Sequence, residues 1–468
     1  MMAATTPALT LTQLARMAEG DLVVREVPRD PTAREALLRT MVEAAKIDSR
    51  AVRAGDLFVP LQGAHADGHE FLADAFAHGA AAALCARASY PRWSGREPGP
   101  LVVVEDVTVA LQRLARRFRD PWSGLLLGLT GSAGKTTTRE LVAAALETAG
   151  PTLRTEGNLN NHWGVPLTLL RLRPEHRTAV VEMAMNASGE IAALAAIARP
   201  DAAVITGAGS AHLGGRGLGS LEAVAREKAS LALAVPPTAP VFAGADSPGL
   251  LAALEPLGRR IVTYGLVADA EVRPATLESL GPEGSRFRVE GFPPVHLRLV
   301  GRHQVANALA AIAVAREYRL DPEAVARALE AIRPIPGRME VRRLRGATVL
   351  VDCYNANPDS ARAALAALAE CAARRRIAVL GDMLELGPGA PELHREVGEA
   401  VRDAELWAVG AHATDYTAGA AVEARAFADK PAVRAALGEA LGPGVVVLLK
   451  ASRGAALEEV LAELEGAG

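Results

Sequence analysis

A continuous apolar run at 125–130 leads through a glycine-bearing turn into a Lys-Thr pair and a helix-forming segment. This order predicts a buried strand, a tight turn and a helix whose first turn carries Lys135 and Thr136. Backbone N–H groups and the positive end of the helix would then face an anion. A strict Walker pattern would need glycine where Leu129 stands, so a chance turn of small residues is the alternative. We expect a nucleotide-phosphate loop.

Composition argues against a nucleic-acid-binding, membrane-inserted or disulfide-rich protein. The chain has 468 residues, which favours two to four domains, and half of them are hydrophobic. Its 51 basic and 54 acidic residues nearly balance, so charge gives no reason to expect nucleic acid or an anionic membrane. Three cysteines are too few for a disulfide framework, and neither a signal peptide nor an apolar stretch of about 18 residues is present. We expect a cytoplasmic monomer without membrane insertion.

Three domains are predicted, with boundaries at 1–119, 120–333 and 334–468. In the first, 56–61 is predicted as a strand and 70–83 as an amphipathic helix. In the other two, short apolar runs alternate with helical patterns, which is typical of parallel α/β sheets. The last domain is predicted to be doubly wound, with strands at 348–352, 377–381, 406–410 and 445–450.

Two polar residues follow predicted strands of the middle domain. Glu182 ends the strand at 179–183, and His212 follows the strand at 202–206. Parallel sheets bind ligands at the carboxyl ends of their strands, so both residues are candidates for the phosphate crevice. Taken singly, each is better explained by a local role: a helix-capping partner for Glu182 and a turn residue for His212.

Lysine is rare in this chain, and Lys228 has an unusual predicted place. Only five lysines occur among the 51 basic residues. On the helix starting near Ser220, Lys228 shares a stripe with Leu221, Val224 and Leu231, which predicts an inward-facing amine. Burial favours the neutral amine, which could react with CO₂ to form an anionic carbamate that binds metal. A side chain that reaches water along its stem is an equal alternative.

Five segments, in this order along the chain, resemble the Mur ligases, a family of ATP-dependent amide-forming enzymes of bacterial cell-wall synthesis. They are Thr130–Thr137, Thr155–His162, Ala211–Leu213 with Lys228 downstream, Gly301–Ala308 and Pro336–Met339. The resemblance implies a three-domain α/β ligase: a UDP-binding domain, a central ATPase domain and a C-terminal Rossmann-like domain.

Within the family, Tyr354–Ser360, Gly381–Gly387 and Lys450–Gly454 are similar to the type that adds D-alanyl-D-alanine to UDP-N-acetylmuramoyl-tripeptide. The resemblance implies an acyl-phosphate intermediate and a UDP-muramoyl-pentapeptide product. The alternatives are a sibling ligase that adds the third amino acid, a folylpolyglutamate synthase and a P-loop regulator without ligase chemistry. A His in the Tyr354 region and an Asp-Asn-Pro-Arg motif, both expected of the third-residue type, are absent from the sequence.

The resemblance also implies site roles, position by position. The ATP-binding set is Gly131, Ser132, Ala133, Gly134, Lys135, Thr136, Thr137, Asn307, Arg338 and Asp352. Thr136 binds Mg²⁺, and a second Mg²⁺ site is formed by Glu182, His212 and carbamylated Lys228, which with Lys135 make the catalytic set. Ser49, Arg50, Asn160 and Asn161 bind the UDP substrate. Asn355, Asn357, Lys450, Ser452 and Arg453 line the dipeptide pocket. The chain departs from the family pattern at Gly207, Gln304, Val351 and Ala451.

Overall fold

The computed structural model describes residues 9–25, 29–63, 66–209 and 218–465. The segment up to 119 contains β1 (Leu9–Thr10), α1 (Leu11–Ala18), β2 (Asp21–Val23), α2 (Pro31–Leu38), β3 (Met41–Val42), β4 (Ala45–Lys46), β5 (Leu57–Phe58), α3 (Leu72–Ala77), β6 (Ala82–Ala86), β7 (Leu101–Val104) and α4 (Val107–Arg119). Its five-stranded sheet has the order β2-β7-β6-β5-β4, in which only the β2–β7 pair is antiparallel.

The predicted helix at 70–83 is wrong in its second half. A short 3₁₀ turn and α3 end by Ala77, and β6 begins at Ala82. Ala82 and Ala83 pair with the residues of β5, and Ala83 also pairs with Leu101 of β7. Alanine favours helices intrinsically, but burial and pairing on both sides override that preference here. The predicted strand at 56–61 shortens to β5.

In the segment 120–333, strands and helices alternate as the sequence predicts as far as residue 264, and three further strands then follow without an intervening α-helix. It contains β8 (Leu125–Thr130), α5 (Lys135–Glu147), β9 (Thr152–Arg154), α6 (Gly164–Leu169), β10 (Thr178–Glu182), α7 (Glu190–Ala198), β11 (Ala202–Ile205), α8 (Leu221–Ala229), β12 (Pro240–Gly244), α9 (Pro248–Leu254), β13 (Arg260–Tyr264), β14 (Pro274–Ser279), β15 (Ser285–Val289), β16 (Val295–Leu297), α10 (Arg302–Glu317) and α11 (Pro322–Ala331). Strands β14, β15 and β16 form a separate antiparallel sheet.

Contacts divide the chain into two compact units. The first takes the described residues up to Gly128 with 150–184 and 192–201, and within it β9 and β10 pair in parallel. The second takes 129–149, 185–191 and the described residues from Ala202 onward. Within the second unit β11, β12 and β13 pair in parallel, and the amide of Thr206 donates to the carbonyl of Thr130 at the end of β8.

The last segment is the doubly wound sheet that the sequence predicts. It contains β17 (Glu340–Leu344), β18 (Ala347–Asp352), α12 (Pro358–Ala369), β19 (Arg375–Leu380), α13 (Ala390–Glu399), β20 (Glu405–Val409), α14 (Ala413–Gly419), β21 (Ala424–Phe427), α15 (Lys430–Ala440), β22 (Val445–Lys450) and α16 (Glu459–Glu465). The order is β17-β18-β22-β19-β20-β21, with antiparallel β17 at one edge. Alternate strand residues pack on α12–α14 and on α15–α16, giving one core on each face.

Three further observations complete the fold. Cys85, Cys353 and Cys371 are all buried and free. Burial raises the pKa of the Cys85 and Cys371 thiols to about 11 and that of Cys353 to about 12. No helix within the described residues is long and apolar enough to cross a membrane.

Candidate active site

The turn between β8 and α5 is shaped by two glycines. Gly131 and Gly134 have φ angles of 152° and 78°, which side-chain-bearing residues rarely adopt. A Cβ atom at Gly131 would lie 1.8 Å from the hydroxyl of Thr206, and one at Gly134 would lie 2.4 Å from Oδ1 of Asn307. α5 begins directly at Lys135, so its free N–H groups and positive dipole end lie at this turn. The predicted strand, turn and helix are all confirmed.

The turn is joined to the segment that follows β11. The amide of Ser132 donates to the carbonyl of Gly207 at 3.0 Å, and the hydroxyl of Thr206 donates to the carbonyl of Ala133 at 2.5 Å. The amide of Gly209 donates to the hydroxyl of Ser132 at 2.9 Å. Because these bonds come from backbone groups and the two short side chains of Ser132 and Thr206, the protein itself holds the turn in place.

Two side chains of the first helical turn have defined places. Lys135 Nζ donates to the carbonyl of Gly131 at 2.7 Å, which folds the amine back over the turn. Arg338 donates from Nη2 to the Thr136 hydroxyl at 2.9 Å. Arg338 lies in the last predicted domain, so that domain contributes a cation directly to the turn. Thr137 is buried beside them.

Asn307, predicted to contact adenine, lies beneath the turn. Its Oδ1 accepts from the hydroxyl of Thr138 at 3.1 Å, and its Nδ2 donates to Oε1 of Gln304 at 2.9 Å. Gln304, where the chain departs from the family pattern, therefore has a structural partner one helical turn away. Asn307 stays a predicted adenine residue, and the structure places its amide in contact with protein groups.

Helix α8 confirms that Lys228 is buried, but one of the residues predicted to share its inward face is exposed. Lys228, Val224 and Leu231 are fully buried, whereas Leu221 is about half exposed because it is the first residue of the helix. Glu227 is not on the stripe that Lys228 shares with Val224 and Leu231, yet it is buried and accepts from the amides of Gly189 and Ile191 at 2.9 and 3.0 Å. These two bonds connect α8 to the segment that enters α7.

In the first unit, Glu182 and the two asparagines have protein partners. Glu182 is buried at the end of β10, and its Oε1 accepts from Nδ2 of Asn160 at 2.8 Å. Asn161 accepts from the amides of Trp163 and Gly164, so it stabilises the start of α6. His212 lies outside the described residues. The predicted metal and substrate roles of these residues stay predictions.

The two candidate UDP-binding residues of the N-terminal segment are in different surroundings. Ser49 is buried and its hydroxyl donates to Oδ2 of Asp74 at 2.8 Å. Arg50 is exposed and donates to both carboxylate oxygens of Asp48 at 2.9 and 2.8 Å. These hydrogen bonds lower the pKa of Asp48 to about 2. Arg50 therefore presents a charge already paired to a carboxylate.

The last domain brings its candidates together where β18, β19 and β22 end. Asp352 and Lys450 are register partners on neighbouring parallel strands, and their charged atoms are 2.7 Å apart. Lys450 is almost fully buried and also donates to the carbonyl of Asn355 at 2.6 Å. Lys450 was predicted to line the dipeptide pocket. Its amine holds Asp352 and the loop at Asn355, and its role toward the dipeptide stays a prediction.

Neighbouring loops add the other candidates. Asn357 caps α12 through the amide of Ser360, while the side chain of Asn355 accepts from the amide of Ala356 and the residue is exposed. Ser452 accepts from the amide of Leu384 at 2.9 Å and donates to the carbonyl of Ala356 at 3.3 Å. We call 353–357, 381–386 and 450–454 the three C-terminal loops.

Tyr354 is a site residue that sequence reasoning did not single out. The guanidinium carbon of Arg338 lies 4.1 Å from the centre of its ring, and that of Arg453 lies 5.2 Å away. Tyr354 was noticed only as part of a motif, because contacts between residues far apart in the sequence leave no local pattern. The departures at Val351 and Ala451 are both buried in the core beneath these loops.

A cavity of about 980 Å³ opens beside the phosphate turn. Ser132 and Ala133 line one part of it, the segment after β11 lines another, and α8 and α9 supply mostly small apolar side chains. Asp359 of the last domain also borders it. The cavity therefore offers a largely apolar space next to an anion-binding turn, a combination suited to a nucleotide or a phosphorylated substrate.

Family models match most of the chain. Residues 42–119 match the Mur ligase family catalytic domain, 129–315 the Mur ligase middle domain, and 337–453 the Mur ligase glutamate ligase domain. The chain belongs to the Mur ligase family. These matches follow the order N-terminal, central and C-terminal domain, and the predicted α/β fold class with three domains is confirmed.

Relatives that match over nearly their whole length indicate which type of Mur ligase the chain is similar to. The chain is 35% identical to the UDP-N-acetylmuramoyl-tripeptide–D-alanyl-D-alanine ligase of Escherichia coli, over 98% of this chain and 99% of the relative. It is 37% identical to the same ligase of Synechocystis, over 89% and 90%. Among solved structures, MurF from Acinetobacter baumannii superposes with a TM-score of 0.86 at 28% identity, over 99% and 100%. MurF from Thermotoga maritima in complex with ADP gives 0.80 at 29%, over 91% and 98%.

Proposed function

We propose that this protein joins D-alanyl-D-alanine to UDP-N-acetylmuramoyl-tripeptide at the expense of ATP, forming the UDP-muramoyl-pentapeptide precursor of peptidoglycan. The observation that carries the proposal is the bond from Arg338 to Thr136. The guanidinium of Arg338, from the last domain, binds the first helical turn after the phosphate loop. A reaction between ATP and a substrate held by another domain requires such a contact. The named relatives, similar over nearly their whole length, supply the substrate class.

The chemistry requires an activated carboxylate. A free carboxylate is a poor acyl donor because its leaving group would be oxide. Attack of the tripeptide carboxylate on the γ-phosphorus breaks the bond to the β-phosphate oxygen and gives an acyl phosphate and ADP. The neutral amine of the dipeptide then attacks the acyl carbon, inorganic phosphate leaves, and the nitrogen loses a proton as the amide forms.

The phosphate loop has the groups for the first of these steps. The N–H groups at the start of α5 and the amine of Lys135 offset the charge of the β- and γ-phosphates as two anions approach each other. Arg338 adds a second cation on the same side. Removing one such electrostatic contact in other enzymes costs about 10²–10³ in rate.

The oxygen-bearing side chain at the phosphate loop is compatible with Mg²⁺ that is bound to ATP. Mg²⁺ usually binds one or two protein oxygens together with phosphates and water. Thr136 offers a hydroxyl at the loop, and no cluster of three or more His, Cys, Asp or Glu side chains suited to a metal occurs within the residues that the structure describes. Bound there, Mg²⁺ would neutralise charge on the transferred phosphoryl group.

A second Mg²⁺ site formed by Glu182, His212 and carbamylated Lys228 is a further part of the proposal. Complete burial of Lys228 supports it, since a buried amine is more easily kept neutral and reactive than an exposed one. A cationic lysine beside a metal would be repelled, whereas a carbamate adds an anionic oxygen ligand. Glu182 also has the buried carboxylate that such a site requires.

The remaining assignments follow the domains. We propose that 1–119 with Ser49, Arg50, Asn160 and Asn161 holds the UDP substrate and that 120–333 holds ATP. We propose that 334–468 holds the dipeptide through Asn355, Asn357, Lys450, Ser452 and Arg453. Pro334–Gly337 is the proposed hinge, because an acyl phosphate must be shielded from water. Small-angle scattering with and without ATP and substrates tests the hinge, and unchanged molecular dimensions would contradict it.

We also propose a cytoplasmic location and a monomeric state. Fractionation of cells tests the location, and sedimentation tests the monomeric state.

One reaction tests the proposal directly. The purified chain is incubated with UDP-muramoyl-tripeptide, ATP, Mg²⁺ and D-alanyl-D-alanine, and the products are read by mass spectrometry. We expect the pentapeptide, with one phosphate released for each product, and phosphate release that depends on both substrates. ATP hydrolysis that ignores the dipeptide would instead favour a nucleotide-driven regulator. A parallel reaction replaces these substrates with UDP-muramoyl-dipeptide and a single amino acid, and product formation there instead would favour the sibling ligase.

A further inference from the structure

Two arginine side chains lie close to the aromatic ring of Tyr354. The guanidinium carbons of Arg338 and Arg453 lie 4.1 and 5.2 Å from the ring centre. A guanidinium within about 6 Å of an aromatic face is attracted by the ring's quadrupole. Two guanidinium groups repel each other, so a shared ring offsets part of the cost of keeping them close.

The two arginines serve different parts of the site. Arg338 donates to Thr136 on the phosphate loop at 2.9 Å. Arg453 follows Ser452, whose hydroxyl joins two of the C-terminal loops through Leu384 and Ala356. Arg453 itself is exposed, so its direction depends on what its guanidinium packs against. One ring thus contacts a cation at the phosphate loop and a cation in the proposed dipeptide region.

The backbone on both sides of Tyr354 is fixed. Its amide donates to the carbonyl of Gly337 at 3.0 Å, immediately before Arg338. The carbonyl of the next residue, Asn355, accepts from the buried amine of Lys450 at 2.6 Å. These two bonds fix the backbone from which the ring extends, on the side of Arg338 and on the side of Lys450.

We propose that Tyr354 is a positioning residue that couples ATP binding to dipeptide binding by holding Arg338 and Arg453 on its ring. This rests on the proposed function, in which Arg453 faces the dipeptide and Arg338 the phosphates. Loss of the ring releases both cations together. Each such contact is worth about two- to fivefold in binding, so the effect must appear in the KM of two chemically unrelated substrates.

Steady-state kinetics of the full-length chain test this. Tyr354→Phe keeps the ring, and we expect KM for ATP and for D-alanyl-D-alanine within twofold of the starting protein. Tyr354→Leu removes the ring, and we expect both KM values to rise about two- to fivefold, with KM for UDP-muramoyl-tripeptide unchanged. A merely structural role would lower the active fraction, and so kcat, while leaving all three KM values where they were. That result, or a change in only one KM, overturns the proposal.

The exposed arginine gives a second test that does not depend on Tyr354→Leu folding. We expect Arg453→Met to raise KM for ATP as well as for the dipeptide, although Arg453 is not assigned to the nucleotide. Combining Arg453→Met with Tyr354→Leu should raise KM for ATP no further than Tyr354→Leu does alone. An effect of Arg453→Met confined to the dipeptide refutes the coupling.

A matched control lies at the far edge of the same sheet. The guanidinium carbon of Arg425 lies 5.5 Å from the ring centre of Trp407 and 4.8 Å from that of Phe427. Arg425→Met removes a comparable contact and should leave all three KM values within twofold. Failure of the starting protein to form the pentapeptide would reject the proposed function, whereas pentapeptide formation with uncoupled KM values would reject only the role of Tyr354.

Discussion

The phosphate loop and the three C-terminal loops are built from different parts of the chain. The phosphate loop takes its shape from two glycines and from backbone bonds such as Ser132 to Gly207. The C-terminal loops are held by buried side chains, above all Lys450 and Ser452. A loop shaped by backbone can lose a functional side chain without losing its form. A loop held by buried polar side chains loses stability when one is removed, because the partner is left desolvated.

The largest expected effect concerns Lys228, because its proposed carbamate has no substitute in the chain. We expect Lys228→Ala to abolish ligation, and added short carboxylic acids to restore part of the activity by supplying the missing anionic oxygens. Product formation is measured by mass spectrometry across a series of acid concentrations. Full activity of Lys228→Ala without added acid would reject the metal-binding role.

Lys135→Ala tests the backbone-shaped region. We expect kcat/KM for ATP to fall by about 10²–10³ because one electrostatic contact to the phosphates is lost. The urea midpoint should stay within error of the starting protein, since the glycines and backbone bonds of the loop remain. A variant that unfolds more easily would show that the lysine, and not the backbone, maintains the loop.

Lys450→Met tests the region held by side chains. Removing one partner of a buried ion pair costs about 3–5 kcal/mol, and here Asp352 would be left unpaired. We expect a loss near the lower figure, about 3 kcal/mol, because Asp352 is partly exposed. The control is Lys430→Met, which breaks the exposed pair with Glu459 and should cost less than about 1 kcal/mol. Equal stability of the two variants in urea would contradict the contrast between the regions.

The smallest expected effect is the pH dependence of stability that His394 causes. This residue bonds to Met383 in the second C-terminal loop. Its Nε2 accepts from the amide of Met383 at 3.0 Å and Nδ1 contacts the carbonyl of Ala390 at 2.6 Å, so the bonded ring is neutral. Burial, helped by nearby His412 and opposed by Asp382 and Asp415, lowers the pKa of His394. The unfolded chain therefore binds more protons, and stability falls as the pH drops below about 6.5.

Urea unfolding at pH 7.5 and 5.5 measures this dependence. We expect His394→Gln, which keeps an acceptor for Met383, to lose less stability between the two pH values than the starting protein. The same loss in both proteins would assign the acid sensitivity to other groups.

Local patterns predicted the backbone-shaped region well. The apolar run and the glycine-bearing turn placed β8 and the start of α5, because each signal acts within a few residues. The strands of the last domain were predicted for the same reason. The helix at 70–83 failed because pairing of Ala82 and Ala83 with strands distant in the sequence decided their conformation.

The side-chain network was harder to predict because its contacts cross the sequence. Lys450 and Asp352 are register partners separated by most of the domain, and nothing near either residue indicates the other. Glu227 is not on the inward stripe by helical spacing, yet it accepts two backbone hydrogen bonds from the segment before α7. Helical spacing placed Lys228 on the inward face with Val224 and Leu231 but left open a side chain that reaches water, and the structure shows that it is fully buried.

The sheltered thiols have a practical value. With pKa values near 11 and 12 and no exposure at the surface, the native cysteines hold almost no thiolate at neutral pH and offer reagents little access. Maleimide dyes or spin labels can therefore be attached at engineered surface cysteines without first stripping the three native ones. Distances across Pro334–Gly337 during turnover then become measurable in a chain that is otherwise unaltered.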